Sequence, residues 1–194
     1  MIELLSLSER EYLLRLARRS IEAAVRRQPM PEIVWADLSQ PLRTLGASFV
    51  TLTEREELRG CIGALEAYQP LAQDVQEHAV SAALEDYRFQ PVAIHELASL
   101  QIEISRLTEP QPLAYEQPEE LLGMLRPGLD GVILRDGARR ATFLPQVWEK
   151  IPDAGSFLDQ LCLKMGVWRD QWRNKPLQVF VYQVEEFREE TEQP

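Results

Sequence analysis

Reactive side chains are scarce in this sequence, which holds two cysteines and two histidines in 194 residues. Cys61 and Cys162 lie about a hundred positions apart and cannot build the disulfide framework that staples small secreted domains, so both are read as reduced thiols. Neither cysteine nor either histidine, His78 or His95, stands in a CxxC pair or at i, i+3 or i, i+4 spacing, so no metal site is expected. The phosphate-binding patterns GxGxxG and GxxxxGKS/T are missing, which leaves nucleotide binding without a motif, and no cofactor is expected. Long apolar runs are missing too. None approaches the roughly 18 residues that span a bilayer, and Met1-Ile2-Glu3-Leu4-Leu5 lacks the basic start and apolar centre of a signal peptide, which predicts a cytoplasmic chain with no membrane role. Basic charge is in deficit, with 21 Lys and Arg against 31 Asp and Glu and a net charge of −10. Phosphate contact needs a concentrated basic surface, so broad nucleic-acid binding is excluded. The five glutamates of residues 183–194 read as a solvated acidic end.

What is present is an ordinary globular composition, 45% hydrophobic, in a length that allows one sizeable core or two small ones. Ser8 and Glu11 have capping-box spacing, and Leu13, Leu16, Ala17, Ile21, Ala24 and Val25 recur at helical intervals. That pattern predicts an amphipathic helix from about Ser8 to Arg27, stopped by Pro29 and Pro31. The β-branched and aromatic run Gly46 to Thr53, the polar Glu54-Arg55-Glu56-Glu57 and Leu58 to Ile62 read as a hairpin carrying Cys61 on its second strand. Pro70 opens a second helix with Leu71, Val75, Ala79 and Ala82 or Ala83 on one face. Leu100 to Ser105 alternates as a half-buried strand does. Pro110, Pro112 and Pro118 mark a subdomain boundary near 108–118. Asp136-Gly137 joins Gly131 to Leu134 and Arg140 to Leu144 in a second hairpin. Ser156 to Met165 reads as a helix closed by Gly166, and Gln178 to Val184 as a final strand. Strands in hairpins with helices not regularly interleaved predict an α+β fold of mainly antiparallel sheet.

The chemistry, if there is any, centres on Leu58-Arg59-Gly60-Cys61-Ile62-Gly63. Two glycines around a thiol suggest an approachable sulfur, and Arg, Gly, Cys and Gly crowd a place where apolar β-formers would pack better. Cys61 is therefore the candidate nucleophile, with Arg59 near enough to support a thiolate. The plainer alternative is that Cys61 is a small core residue. Cys162, on an apolar helical face, reads as core. His78 borders the apolar face of its helix, as structural histidines do, and a Cys61–His78–Asp86 triad finds no support in spacing. In Asp86-Tyr87-Arg88-Phe89, Asp86 and Arg88 either orient a charged ligand or pair where a helix meets a loop. Trp148, Trp168 and Trp172 read as core or rim aromatics.

Taken together, Leu58 to Gly63, Asp86-Tyr87-Arg88-Phe89 with Pro91, Ile102-Glu103-Ile104-Ser105, Asp130-Gly131-Val132 and Leu144-Pro145-Gln146-Val147 resemble the AMMECR-type domain family, also called AmmeMemoRadiSam system protein A. The resemblance runs from about Phe49 to Phe187. It implies that residues 1–194 form a single AMMECR-type domain, an α+β fold of a larger and a smaller subdomain with a cleft lined by the LRGCIG motif. No histidine belongs to the family motifs. The resemblance also implies an association in prokaryotes with a Memo-like protein, itself similar to extradiol dioxygenases, and with a radical SAM protein.

Two functions follow. In one, the chain is a small enzyme or modifying factor in which Cys61 acts from the cleft, Arg59 and Arg88 hold an anionic group and Asp86 orients Arg88, with Gly60 and Gly63 as further candidate ligand-binding residues. In the other it is a non-catalytic partner or substrate-delivery module for the Memo-like and radical SAM proteins, in which the glycines shape a backbone-lined docking surface and Cys61 is a packing residue or a site offered to the partner's chemistry.

Overall fold

The computed structural model describes residues 4–189, so residues 190–194 of the acidic end lie outside the described residues. Helices and antiparallel sheet are both abundant, and the chain is an α+β protein whose described residues form two compact units, 4–107 with 185–189 and 108–184.

The first unit starts with α1 (Leu7–Val25), which turns Leu13, Leu16, Ala17 and Ile21 inward as one stripe. Its cap lies two residues before the expected one. Ser6 is the N-cap, and Glu9 returns its carboxylate to the Ser6 amide at 2.6 Å. Two overlapping Ser-x-x-Glu spacings compete here, and the earlier one wins. A short helix, α2 (Gln40–Arg43), leads into the expected hairpin, β1 (Leu45–Glu54) and β2 (Glu57–Gly63). The hairpin turns at Arg55 and Glu56, whose φ angles of 52° and 68° are the left-handed ones a two-residue turn requires. Then come β3 (Gln69–Pro70), α3 (Leu71–Leu84) and β4 (Leu100–Leu107). The strand order is β2-β1-β4 with β9 (Val184–Arg188) beyond, β2 forming one edge, and β3 pairs with the start of β1. Val50, Leu52, Ile102 and Ile104 meet Leu13, Ile21, Val75 and Ala79 in one core, so α1 and α3 cover one face of the sheet. Residues that alternate with these, Thr51 and Glu103 among them, point to the other face.

The second unit holds β5 (Gln111–Pro112), α4 (Leu121–Met124), β6 (Gly131–Asp136), β7 (Arg139–Phe143), α5 (Ala154–Met165), α6 (Gln171–Asn174) and β8 (Gln178–Tyr182), with sheet order β5-β8-β6-β7. Phe157, Leu158, Leu161 and Cys162 of α5 pack with Val132, Leu134, Trp148 and Trp172, and Trp148 stacks on Phe157 at 3.7 Å between ring centres. Gly166 ends α5 with φ 78°, as its position in the sequence suggests. Trp148 and Trp172 are core, while Trp168 is exposed. The expected strand Gln178 to Val184 is two strands. The run breaks at Gln183, whose amide and carbonyl are both taken by Thr108, and the chain then leaves the sheet of β8 for the sheet of β4.

Candidate functional site

Cys61 owes its orientation to an irregularity in the hairpin. From the turn, Glu54 pairs with Glu57 and Thr53 with Leu58, but the register then shifts and Leu52 pairs with Gly60 and Thr51 with Cys61. Arg59 is the extra residue of a β-bulge. Without it, Cys61 would lie opposite Val50 and face the helices, because a one-residue slip moves every side chain to the other face. With it, Gly60 takes the core side and Cys61 shares the opposite face with Thr51. Gly60 can do this only without a side chain, since a Cβ there would lie 2.2 Å from the Ala82 carbonyl oxygen of α3. At Gly63 a Cβ would lie 2.3 Å from the Ser48 carbonyl oxygen. Both glycines thus serve close packing of backbone inside the unit.

Cys61 is half-buried, and the Thr51 hydroxyl donates to its Sγ at 3.3 Å. As β2 is an edge strand, the outward N–H and C=O of Cys61 have no neighbouring strand to pair with. Two side chains take that place. The Cys61 N–H donates to Asp86 Oδ2 at 2.9 Å, and Arg88 Nη2 donates to the Cys61 carbonyl at 3.2 Å. Asp86 and Arg88 are joined in turn by a two-pronged ion pair at 2.9 and 2.6 Å. The Asp86 side chain is buried, and the Arg88 contacts, aided by the Cys61 amide and opposed by burial, hold its carboxyl far below the usual carboxylate range. The same pairing pushes the Arg88 guanidinium upward, and the Cys61 thiol lies within its electrostatic range.

Arg59, the bulged residue, turns to Glu96, which it meets at 2.7 and 3.1 Å in a mostly buried pair that lowers the Glu96 carboxyl. Phe89 lies under both guanidiniums, 6.0 Å from Arg59 and 5.5 Å from Arg88. Both arginines are therefore neutralised by a carboxylate. Each keeps Nη1 without a hydrogen bond among the described residues.

No Cys61–His78–Asp86 triad forms. His78 Nδ1 lies 3.2 Å from Asp74 Oδ2, its Nε2 faces the Tyr68 hydroxyl at 3.5 Å, and Asp86 is spent on Cys61 N and Arg88. Asp74 is fully buried on α3 and also accepts from the Ser48 hydroxyl at 2.6 Å. His95 is exposed on the turn before β4. Cys162 is buried in the second unit, where desolvation pushes its thiol up. Among the described residues, no group of three or more His, Cys, Asp or Glu is arranged to hold a metal, and no helix is long and apolar enough to cross a membrane. A depression of about 450 Å³ in the second unit is lined by Asp136, Arg139, Val167 and Trp168, but Arg139 is bonded to the Gly166 carbonyl and Asp136 to Lys175.

Thr51, Glu96 and Glu103 join this site without a signal from motif reading. Only the strand register, bulge included, could have identified Thr51 and Glu103, and only the contact with Arg59 could have identified Glu96.

An α+β protein with a cysteine held on a bulged edge strand by an Asp–Arg pair is the class these features define. The chain belongs to the AMMECR1 family, whose model matches residues 14–187. A relative from Thermofilum pendens is 39% identical over 96% of this chain and 92% of its own length, and one from Methanothermobacter thermautotrophicus is 37% identical over 96% and 97%. The crystal structure of an uncharacterized protein from Pyrococcus horikoshii has a similar fold, with a TM-score of 0.79 at 33% identity over 96% of this chain and 94% of that one.

Proposed function

We propose that the chain is a modifying factor whose reactive group is the Cys61 thiol, presented on the edge of β2 by Asp86 and Arg88. The observation that carries this reading is that both backbone polar groups of Cys61 are bound by side chains of one ion pair. Charge-assisted bonds of this kind contribute about 1.5–3 kcal/mol each where they are shielded from water. They fix one residue of an edge strand that would otherwise be free to fray. A plain packing cysteine would face the core; this one lies on the opposite face with a hydroxyl directed at its sulfur. Arg59 and Arg88 offer their remaining Nη1 donors to an anionic group, and Asp86 keeps Arg88 in place for it. Gly60 and Gly63 fix the backbone on either side of the thiol.

The test is alkylation of Cys61 by iodoacetamide, followed by peptide mass spectrometry. Cys61 in the folded protein should react faster than Cys61 in the urea-unfolded chain. A folded-state rate below the unfolded one would leave Cys61 a structural residue.

One observation favours the second reading, a docking module for a Memo-like protein and a radical SAM protein. Three large apolar side chains flank the site residues in sequence and stand in solvent: Leu58 before Arg59, Tyr87 between Asp86 and Arg88 at 94% exposure, and Ile94 just ahead of Glu96. Co-purification with those two partners, lost on Tyr87→Ala with Ile94→Ala, supports this reading. Retention of binding by the double variant counts against it.

A further inference from the structure

Cys61, Thr51 and Glu103 occupy one row across three strands. Thr51 of β1 is paired with Cys61 on one side and with Glu103 of β4 on the other. Directly paired residues of antiparallel strands point to the same face, with Cβ atoms about 4.5–5.5 Å apart. Their sequence neighbours Leu52, Ile102 and Ile104 are buried in the core beneath, so the three side chains share the face away from α1 and α3. Glu103 is half-buried, and its carboxylate makes no hydrogen bond among the described residues, so it is free to take a proton from this row. Burial first, then Glu186 of β9, raise its carboxyl above the usual range, while Arg188 opposes them. On the thiol side the facing charge is Arg88.

We propose that this row handles the proton of the Cys61 thiol, with Thr51 as the positioning residue at the sulfur and Glu103 as the proton acceptor. The proposal rests on the reading of Cys61 as a reactive thiol. At rest the Thr51 hydroxyl proton points at Sγ. Rotation about its C–O bond turns that proton away from Sγ and leaves the oxygen to accept from the thiol. The side chain of Glu103, which is paired with Thr51 across the strands, swings to the Thr51 oxygen to receive the proton. The S–H bond then breaks, its electron pair stays on sulfur and forms the bond to an electrophilic carbon, and the leaving group departs with its own pair. Thr51 takes the thiol proton and passes its own to Glu103, which ends as a neutral carboxyl able to return a proton later. A carboxyl whose affinity for protons is raised is suited to both halves of that exchange.

Alkylation of the intact protein by iodoacetamide, with Cys61 and Cys162 distinguished at the peptide level, tests the proton role. Glu103→Gln should slow labelling of Cys61 about tenfold near neutral pH and leave it unchanged in alkaline buffer, where the thiol ionises without help. Thr51→Val should slow it in the same pH range, and Thr51→Ser should restore it. Circular dichroism and thermal melting verify that the variants are folded, and the two Thr51 variants carry the test should Glu103→Gln fail to fold. A Glu103→Gln rate that is unchanged, or faster as loss of a bystander negative charge would make it, overturns the proton role and leaves the reactive thiol standing. Wild-type Cys61 labelling no faster folded than unfolded overturns both.

Discussion

The amide of Cys61 donates to the carboxylate of Asp86 at 2.9 Å, across 25 positions of sequence, and so ties an edge strand to the segment that follows α3. An edge strand usually leaves such groups to water or to a second chain. Here a side chain takes the neighbour's part, and Arg88 completes the imitation at the Cys61 carbonyl.

Loss of Asp86 exposes the strength of that tie. Asp86→Ala frees the Cys61 amide and leaves Arg88 without its carboxylate. Arg88 is 43% exposed in its side chain, so water compensates part of the loss, and the expected destabilisation is about 2–3 kcal/mol in urea unfolding. A change under about 0.5 kcal/mol, the scatter of ordinary surface substitutions, would mean that the contact is incidental.

Acid should act through the same carboxyl. The folded state holds Asp86 below its ordinary value of 3.8, so the folded protein binds fewer protons there than the unfolded chain. Its contribution is therefore fully present above pH 3.8 and is lost as pH falls from there through the folded value. Glu96, lowered by Arg59 from an ordinary 4.5, acts in the same direction. Urea titrations from neutral pH into strongly acid buffer should show this contribution unchanged down to about pH 4.5, the ordinary value of Glu96, and declining below it, with a shallower decline for Asp86→Asn. An identical acid limb in the variant would remove Asp86 from the account.

Two glycines should differ sharply in their tolerance of alanine. Gly60→Ala forces a Cβ onto the Ala82 carbonyl at 2.2 Å, whereas a Cβ at Gly123 meets nothing within 4 Å. The first substitution is expected to cost about 1–3 kcal/mol as an overpacked site. The second, in the short helix α4, should be neutral or stabilising by a few tenths of a kcal/mol. Thermal melting of the pair checks the contrast, and equal midpoints would contradict the close approach of β2 to α3.

Much of the scaffold is legible in the chain. The apolar stripe of α1, the alternation of Leu100 to Ser105, the polar turn at Arg55-Glu56 and the glycine stop at Gly166 each state their structure through periodicity or local conformation. The Asp86–Arg88 pair is also foreshadowed, because a carboxylate and a guanidinium two positions apart at a helix end have few other partners. What stays hidden is register. The bulge at Arg59 leaves no mark in composition, yet it decides whether Cys61 faces the core or Thr51. Glu103 and Glu96 lie 42 and 35 positions from Cys61, and only the folded sheet and the Arg59 contact bring them into its surroundings. The break at Gln183 is hidden for a similar reason, since Val179 to Val184 is apolar enough to serve as one strand until the Thr108 contacts interrupt it.

The central claim, that Asp86 and Arg88 hold Cys61 as a reactive thiol, is tested most directly by the rate at which folded Asp86→Ala is alkylated at Cys61, beside the folded wild type and the unfolded chain. The clamp predicts that the variant, still folded by circular dichroism, loses the advantage of the folded wild type and reacts at about the unfolded rate. A folded variant that reacts as fast as wild type would contradict it.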